Sequence, residues 1–158
     1  ALGNAWFVKG IQYKKDAASV MKALDTFNPK DTAIIEEKDK IADLNKLEVD
    51  SAASIQLLKN NNDDILYTAT TSKKQLAVFS EIYYNLGWKA YIDNQETPIV
   101  KVNYVLRGLV VPAGKHDIKF EFRPNSIDIS KKASGIASIL LWGLIIFVGY
   151  KTLKQKEA

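Results

Sequence analysis

The chain has 158 residues, 47% hydrophobic and 25% charged, with a formal net charge of +4, values that suit one globular domain with an appendage. The charge is uneven: residues 131–158 hold five lysines and one acid, leaving 17 basic and 17 acidic side chains in residues 1–130, which removes the usual electrostatic argument for nucleic-acid binding, one that needs a basic face on the folded domain. No cysteine is present, which excludes disulfides, thiolate metal sites and a thiol nucleophile.

The chain begins at Ala1 without Met and shows no signal-peptide pattern, so it is expected to be a piece of a longer polypeptide. Residues 6–14 (WFVKGIQYK) are rich in aromatic and β-branched types and predict one strand. Asp16 is placed to cap a following helix, in which Val20, Leu24 and Phe27 recur at helical spacing before Pro29 stops it. Residues 32–37 (TAIIEE) predict a second strand, completing a small β-α-β element. Residues 38–50 are charged and poorly periodic, a connector with one helical turn around Ile41–Leu47.

From Ser51 onward the pattern is β. Strands are expected at 52–59 and 65–71 about the turn formers Asn60–Asp64, then at 75–84 after Ser72-Lys73-Lys74. Strands at 88–93 and 97–103 flank Asp93-Asn94-Gln95, and strands at 104–111 and 116–123 flank Pro112-Ala113-Gly114-Lys115. In the last strand Ile118, Phe120 and Phe122 alternate with Lys119, Glu121 and Arg123, the mark of one buried and one wet face. About seven short strands with tight turns predict a sandwich of antiparallel sheets.

Residues 133–150 (ASGIASILLWGLIIFVGY) carry no charge and lie between Lys131-Lys132 and Lys151. A helix of that length would cover about 27 Å, near the ~30 Å of a bilayer core, so a C-terminal transmembrane helix is expected. Three lysines follow the segment and two precede it, which points to a cytoplasmic C-terminus and a body outside the cytoplasm. The expected fold is thus mainly β (α+β): an antiparallel β-sandwich over 51–125, preceded by a small α/β element and connector over 1–50, with the membrane helix and its basic flanks over 131–152.

Little in the chain carries catalytic chemistry. His116 is the only histidine; without a second His or a Cys it is expected to be a hydrogen-bonded residue at the edge of the core. Glu81 and Asp93 could be imagined as a carboxylate pair, but any chain with 18 acids offers such pairs. Arg107, inside the apolar run Tyr104–Val111, either faces water or is paired with a carboxylate; the paired arrangement fixes the sheet or holds an anionic ligand. Tyr83, Tyr84, Trp88, Tyr91 and Tyr104 cluster in sequence, and such rings either fill a core or stack on the apolar faces of sugars. The run Asn60–Asp64 lacks the spacing of a calcium loop. No metal motif and no phosphate-binding glycine loop is present, and no cofactor is expected.

One longer order of residues remains. Ser80-Glu81-x-Tyr83-Tyr84-x-x-Gly87-Trp88-Lys89-Ala90-Tyr91-x-Asp93 precedes Val102-Asn103-Tyr104-x-x-Arg107-Gly108, and then Val111-Pro112-Ala113-Gly114-Lys115-His116-x-Ile118 with Phe120 and Phe122. With the opening Leu2-Gly3-Asn4-Ala5-Trp6-Phe7-Val8, this resembles the C-terminal region of the bacterial YfhO family of large membrane proteins. Asn94 stands where glycine is expected after Asp93; asparagine also accepts a left-handed turn. The resemblance implies a GT-C-like glycosyltransferase parent, whose catalytic acid would lie before Ala1, so no catalytic residue carries over to this fragment. It implies residence in the bacterial cytoplasmic membrane, with this domain outside the cytoplasm. The expected partners are the membrane, the remaining transmembrane part of the parent chain, and an envelope glycan or lipid-linked sugar. The domain would cover the site or bind acceptor glycan through Tyr83, Tyr84 and Trp88, with Arg107, Glu81 and Asp93 as polar contacts. The alternative is a membrane-anchored protein-interaction or carbohydrate-binding module unrelated to catalysis.

Overall fold

The structure, a computed structural model, describes residues 2–124, 130, 134–143 and 145–146. It divides into two compact units, Ala1–Phe122 and Arg123–Ala158.

In the first unit, β1 (Ala5–Phe7) and β2 (Gly10–Lys14) precede the helix α1 (Ala17–Ala23), and β3 (Thr32–Glu36) follows it. Asp16 caps α1: its carboxylate accepts the Ser19 N–H at 2.8 Å, which satisfies one of the helix's orphan donors. Short 3-10 turns at Glu37–Asp39 and Ala42–Lys46 form the connector. The remaining strands are β4 (Ser54–Asn60), β5 (Asp64–Thr71), β6 (Gln75–Ile82), β7 (Trp88–Ile92), β8 (Gln95–Thr97), β9 (Val100–Val102), β10 (Leu106–Val111) and β11 (Gly114–Phe122).

Two antiparallel sheets, β1-β6-β10-β9 and β4-β5-β11-β7-β8, enclose the main core, while β2 and β3 pair in parallel across α1. Between the sheets, Tyr67, Phe79 and Phe120 meet edge to face, with centroids 4.8–6.2 Å apart, the arrangement that aligns a positive ring edge with a negative face. A second core lies on the other side of the first sheet, where Leu76, Val78, Val100, Val102 and Val110 pack against Val8, Ala33, Ile35 and Leu44. Strands β6 and β10 are therefore apolar on both faces, which accounts for the unbroken runs Leu76–Phe79 and Leu109–Val111.

The strand expected over 6–14 is two strands in different sheets, because the chain turns at Val8-Lys9 after the Val8 N–H donates to the Leu76 carbonyl at 3.1 Å. The strand expected over 97–103 also divides, into the end of β8 and all of β9, about Pro98, which has no N–H to continue a ladder.

The expected fold class needs correction at its C-terminal part. Among the described residues no helix is long and apolar enough to cross a membrane. Residues 134–143 and 145–146 are helical. Residues 131–133, 144 and 147–152 of the expected segment lie outside the described residues.

Candidate functional site

The loop between β6 and β7 brings three of the aromatic residues into one place. Tyr83, Tyr84 and Trp88 line an open cleft of about 170 Å³, with Lys89 and Glu96 on the facing strands β7 and β8. The hairpin is joined by Asp93-Asn94, both in the left-handed region (φ 50° and 68°); asparagine and aspartate tolerate this where other side chains do not. That two-residue turn pairs Tyr91 with Glu96 and Ala90 with Thr97. Lys89 Nζ then reaches Glu96 Oε2 at 3.0 Å. Tyr84 is exposed, Tyr83 and Trp88 half-buried, so the cleft presents ring faces together with an ion pair.

Trp88 is held from behind. The Arg107 guanidinium lies 4.1 Å from its ring centroid and 5.3 Å from that of Phe120, and Trp88 packs on Phe122 at 5.3 Å. Arg107 is only 3% exposed, so it stands behind the aromatic wall. Its Nε donates to the Ile82 carbonyl at 2.9 Å. A register shift between Leu106 and Arg107, opposite Ser80-Glu81, opens the ladder there, as bulges do where a side chain must be re-aimed. Among the described residues, Arg107 Nη1 and the Tyr67 hydroxyl are buried without a hydrogen-bond partner. Burial holds the guanidinium below its ordinary pKa, partly offset by the nearby Glu81 charge. Burial, then Glu81, pushes the Tyr67 hydroxyl up to about 12. Glu81 therefore belongs to the field around Arg107 and Tyr67.

Asp93 sits at the other end of β7 and does not join the cleft. Its carboxylate faces His116 Nδ1 at 2.6 Å and accepts the Asp117 N–H at 2.9 Å, tying the hairpin turn to the start of β11. The His116 hydrogen bond, then the Asp117 N–H, holds the Asp93 carboxyl below its ordinary pKa. A depressed carboxylate stabilises the fold above its unfolded pKa and loses that contribution as pH falls through the folded one. Urea midpoints of the wild type should therefore drop below about pH 4, and Asp93→Asn should flatten that acid limb. An equal acid limb in both proteins would refute this role.

A wider cleft of about 410 Å³ opens between β1 and β4. Several of its polar groups are engaged with protein partners: Trp6 Nε1 donates to the Pro29 carbonyl, Lys9 pairs with Asp31, and Asp50 accepts from Ser72 and Ala52. The smaller cleft joins three aromatic rings and an ion pair to the Tyr83 and Tyr84 hydroxyls, which take no partner among the described residues, and this combination makes it the candidate for a ligand.

Lys89 and Glu96 were not among the residues expected from the sequence. Hairpin arithmetic across Asp93-Asn94 is the signal that places Glu96 and Thr97 opposite β7. Asn103 was also not anticipated. It is buried in the left-handed region (φ 48°), its Oδ1 accepts the Ile34 N–H, and its own N–H donates to the Ile34 carbonyl, both at 2.8 Å. This one residue acts as a strand partner for β3 and docks the β2-β3 sheet beside β9.

The family model described as bacterial membrane protein YfhO matches residues 33–131, more than half of the chain. The matched span includes the whole cleft. No curated protein and no solved structure matches the chain.

Proposed function

The chain belongs to the YfhO family of bacterial membrane proteins, and we propose that it is a non-catalytic domain, lying outside the cytoplasm, of a polytopic parent resembling a lipid-linked-sugar glycosyltransferase. Its role is to bind acceptor glycan in the Tyr83–Tyr84–Trp88 cleft. The observation that carries this reading is the cleft's chemistry: three rings, two hydroxyls that no described side chain engages, and an adjacent ion pair. Aromatic faces pack against the C–H faces of a sugar while hydroxyls and charges meet its polar edge. Arg107 contributes by fixing Trp88, and Glu81 by supporting Arg107; Asp93 sets the hairpin that carries Lys89 and Glu96.

Titration of the full chain in detergent with hexose and N-acetylhexosamine oligosaccharides, followed by tryptophan fluorescence, tests this. Tyr84→Ala and Tyr83→Ala should each weaken binding roughly 3- to 10-fold, the loss of about 0.5–1.5 kcal/mol per aromatic contact. Equal affinity of wild type and the double variant would remove the cleft from the reading.

A further inference from the structure

One pole of the first unit exposes apolar side chains on neighbouring loops. β6 ends there, β7 and β10 begin there, and β9 and β11 end there. Ile82 is 69% exposed, Leu86 63%, Val105 44% and Tyr104 38%. The Tyr83 N–H donates to the Val105 carbonyl at 2.6 Å, which ties the β6–β7 loop to the β9–β10 turn.

Tyr104 stands at the tip of that turn in the left-handed region (φ 71°), directly after Asn103 in the same region. A bulky residue pays for this conformation, and Tyr104 is nonetheless 38% exposed. Strain held at an exposed position points to use of the side chain outside the fold. The chain also leaves the sandwich at this pole, at Phe122–Arg123, and continues in sequence into the uncharged run 133–150.

We propose that this pole, through Ile82, Leu86, Tyr104 and Val105, rests in the headgroup region of a lipid bilayer. Membership of a membrane-protein family supplies the lipid surface, and aliphatic side chains beside a tyrosine suit an interface that is apolar on one side and wet on the other. The driving force is apolar insertion. Asp63, whose carbonyl accepts the Phe122 N–H, and Asp64 lie at the same pole, so attraction to anionic lipid is not required.

The absence of native cysteine allows single labels. Leu86→Cys, Tyr104→Cys and, at the opposite pole, Ala113→Cys are made in the full chain, coupled to an environment-sensitive fluorophore and mixed with phosphatidylcholine vesicles with or without brominated acyl chains. Labels at 86 and 104 should shift to the blue and lose emission to the brominated lipid, while the label at 113 does neither. Water-like spectra at 86 and 104, equal quenching at all three positions, or no association with vesicles would overturn the proposal. Tyr104→Asn keeps a residue that tolerates the left-handed turn, so its unfolding midpoint should be no lower than wild type while quenching at 86 falls. A lowered midpoint, or unchanged quenching, would assign Tyr104 to the fold and count against the proposal. No sugar is present, so the outcome is independent of glycan binding.

Discussion

Asn103→Ala is expected to lower stability by roughly 2–5 kcal/mol, a large share of the 5–15 kcal/mol of a typical domain. Two losses add. The Ile34 N–H, in a strand residue with no exposure, loses its acceptor; a buried unsatisfied donor costs about 1–3 kcal/mol. Alanine must also occupy φ 48°, which costs an L-residue about 1–2 kcal/mol. Asn103→Gly separates the two, since glycine removes the acceptor but accepts the backbone; it should fall between wild type and alanine. Thermal or urea unfolding reads both. Hydrogen exchange should show the loss first in β2 and β3, because Asn103 joins that sheet to β9. A cost below about 1 kcal/mol for Asn103→Ala would mean that the β2-β3 sheet is held by packing alone.

Arg107 gives the second large effect, and its direction depends on the replacement. Arg107→Ala should cost about 2–4 kcal/mol, because it empties core volume behind Trp88 and removes the cation stacked on two rings. Arg107→Met fills most of that volume and removes a buried charge, so it should cost less than about 1.5 kcal/mol. Arg107→Lys should be worse than Met: it keeps a charge that hydrates strongly and loses the plane that stacks on Trp88. Urea midpoints order the three variants. If Lys is neutral and Met is costly, attraction between the cation and Glu81 dominates, and stacking is secondary.

Much of the β architecture was legible because local chemistry and burial agree. In β11 the alternation of Ile118 and Phe120 with Lys119 and Glu121 matches buried and partly exposed positions, and the strand opens on Gly114 at φ 137°. A Cβ there would approach the His116 ring to 2.8 Å, so the glycine is needed for space as well as conformation. The sheet switches were not legible. A run of β-formers such as Trp6–Lys14 does not say which sheet each half joins; that is decided by Leu76 and by β3, far away in sequence. The apolar runs in β6 and β10 did hold a sign of the second core, since an antiparallel strand with one wet face would alternate. The apolar run 133–150 fits a span by composition, whereas among the described residues no helix is long and apolar enough to cross a membrane.

For the cleft, Tyr83, Tyr84 and Trp88 were legible as an aromatic cluster. The burial of Arg107 behind Trp88 was not, because it depends on the register shift opposite Ser80-Glu81. Asn103 was hidden for the same reason: its partner Ile34 lies 69 residues away.

The most direct test of glycan recognition is amide chemical-shift mapping of the full chain in detergent, titrated with the same oligosaccharides. Saturable shifts confined to Tyr83–Ala90 and Glu96–Ile99, absent in the Tyr83→Ala/Tyr84→Ala protein, are the predicted result. Shifts confined to the cleft between β1 and β4, or none at any sugar concentration, would contradict it.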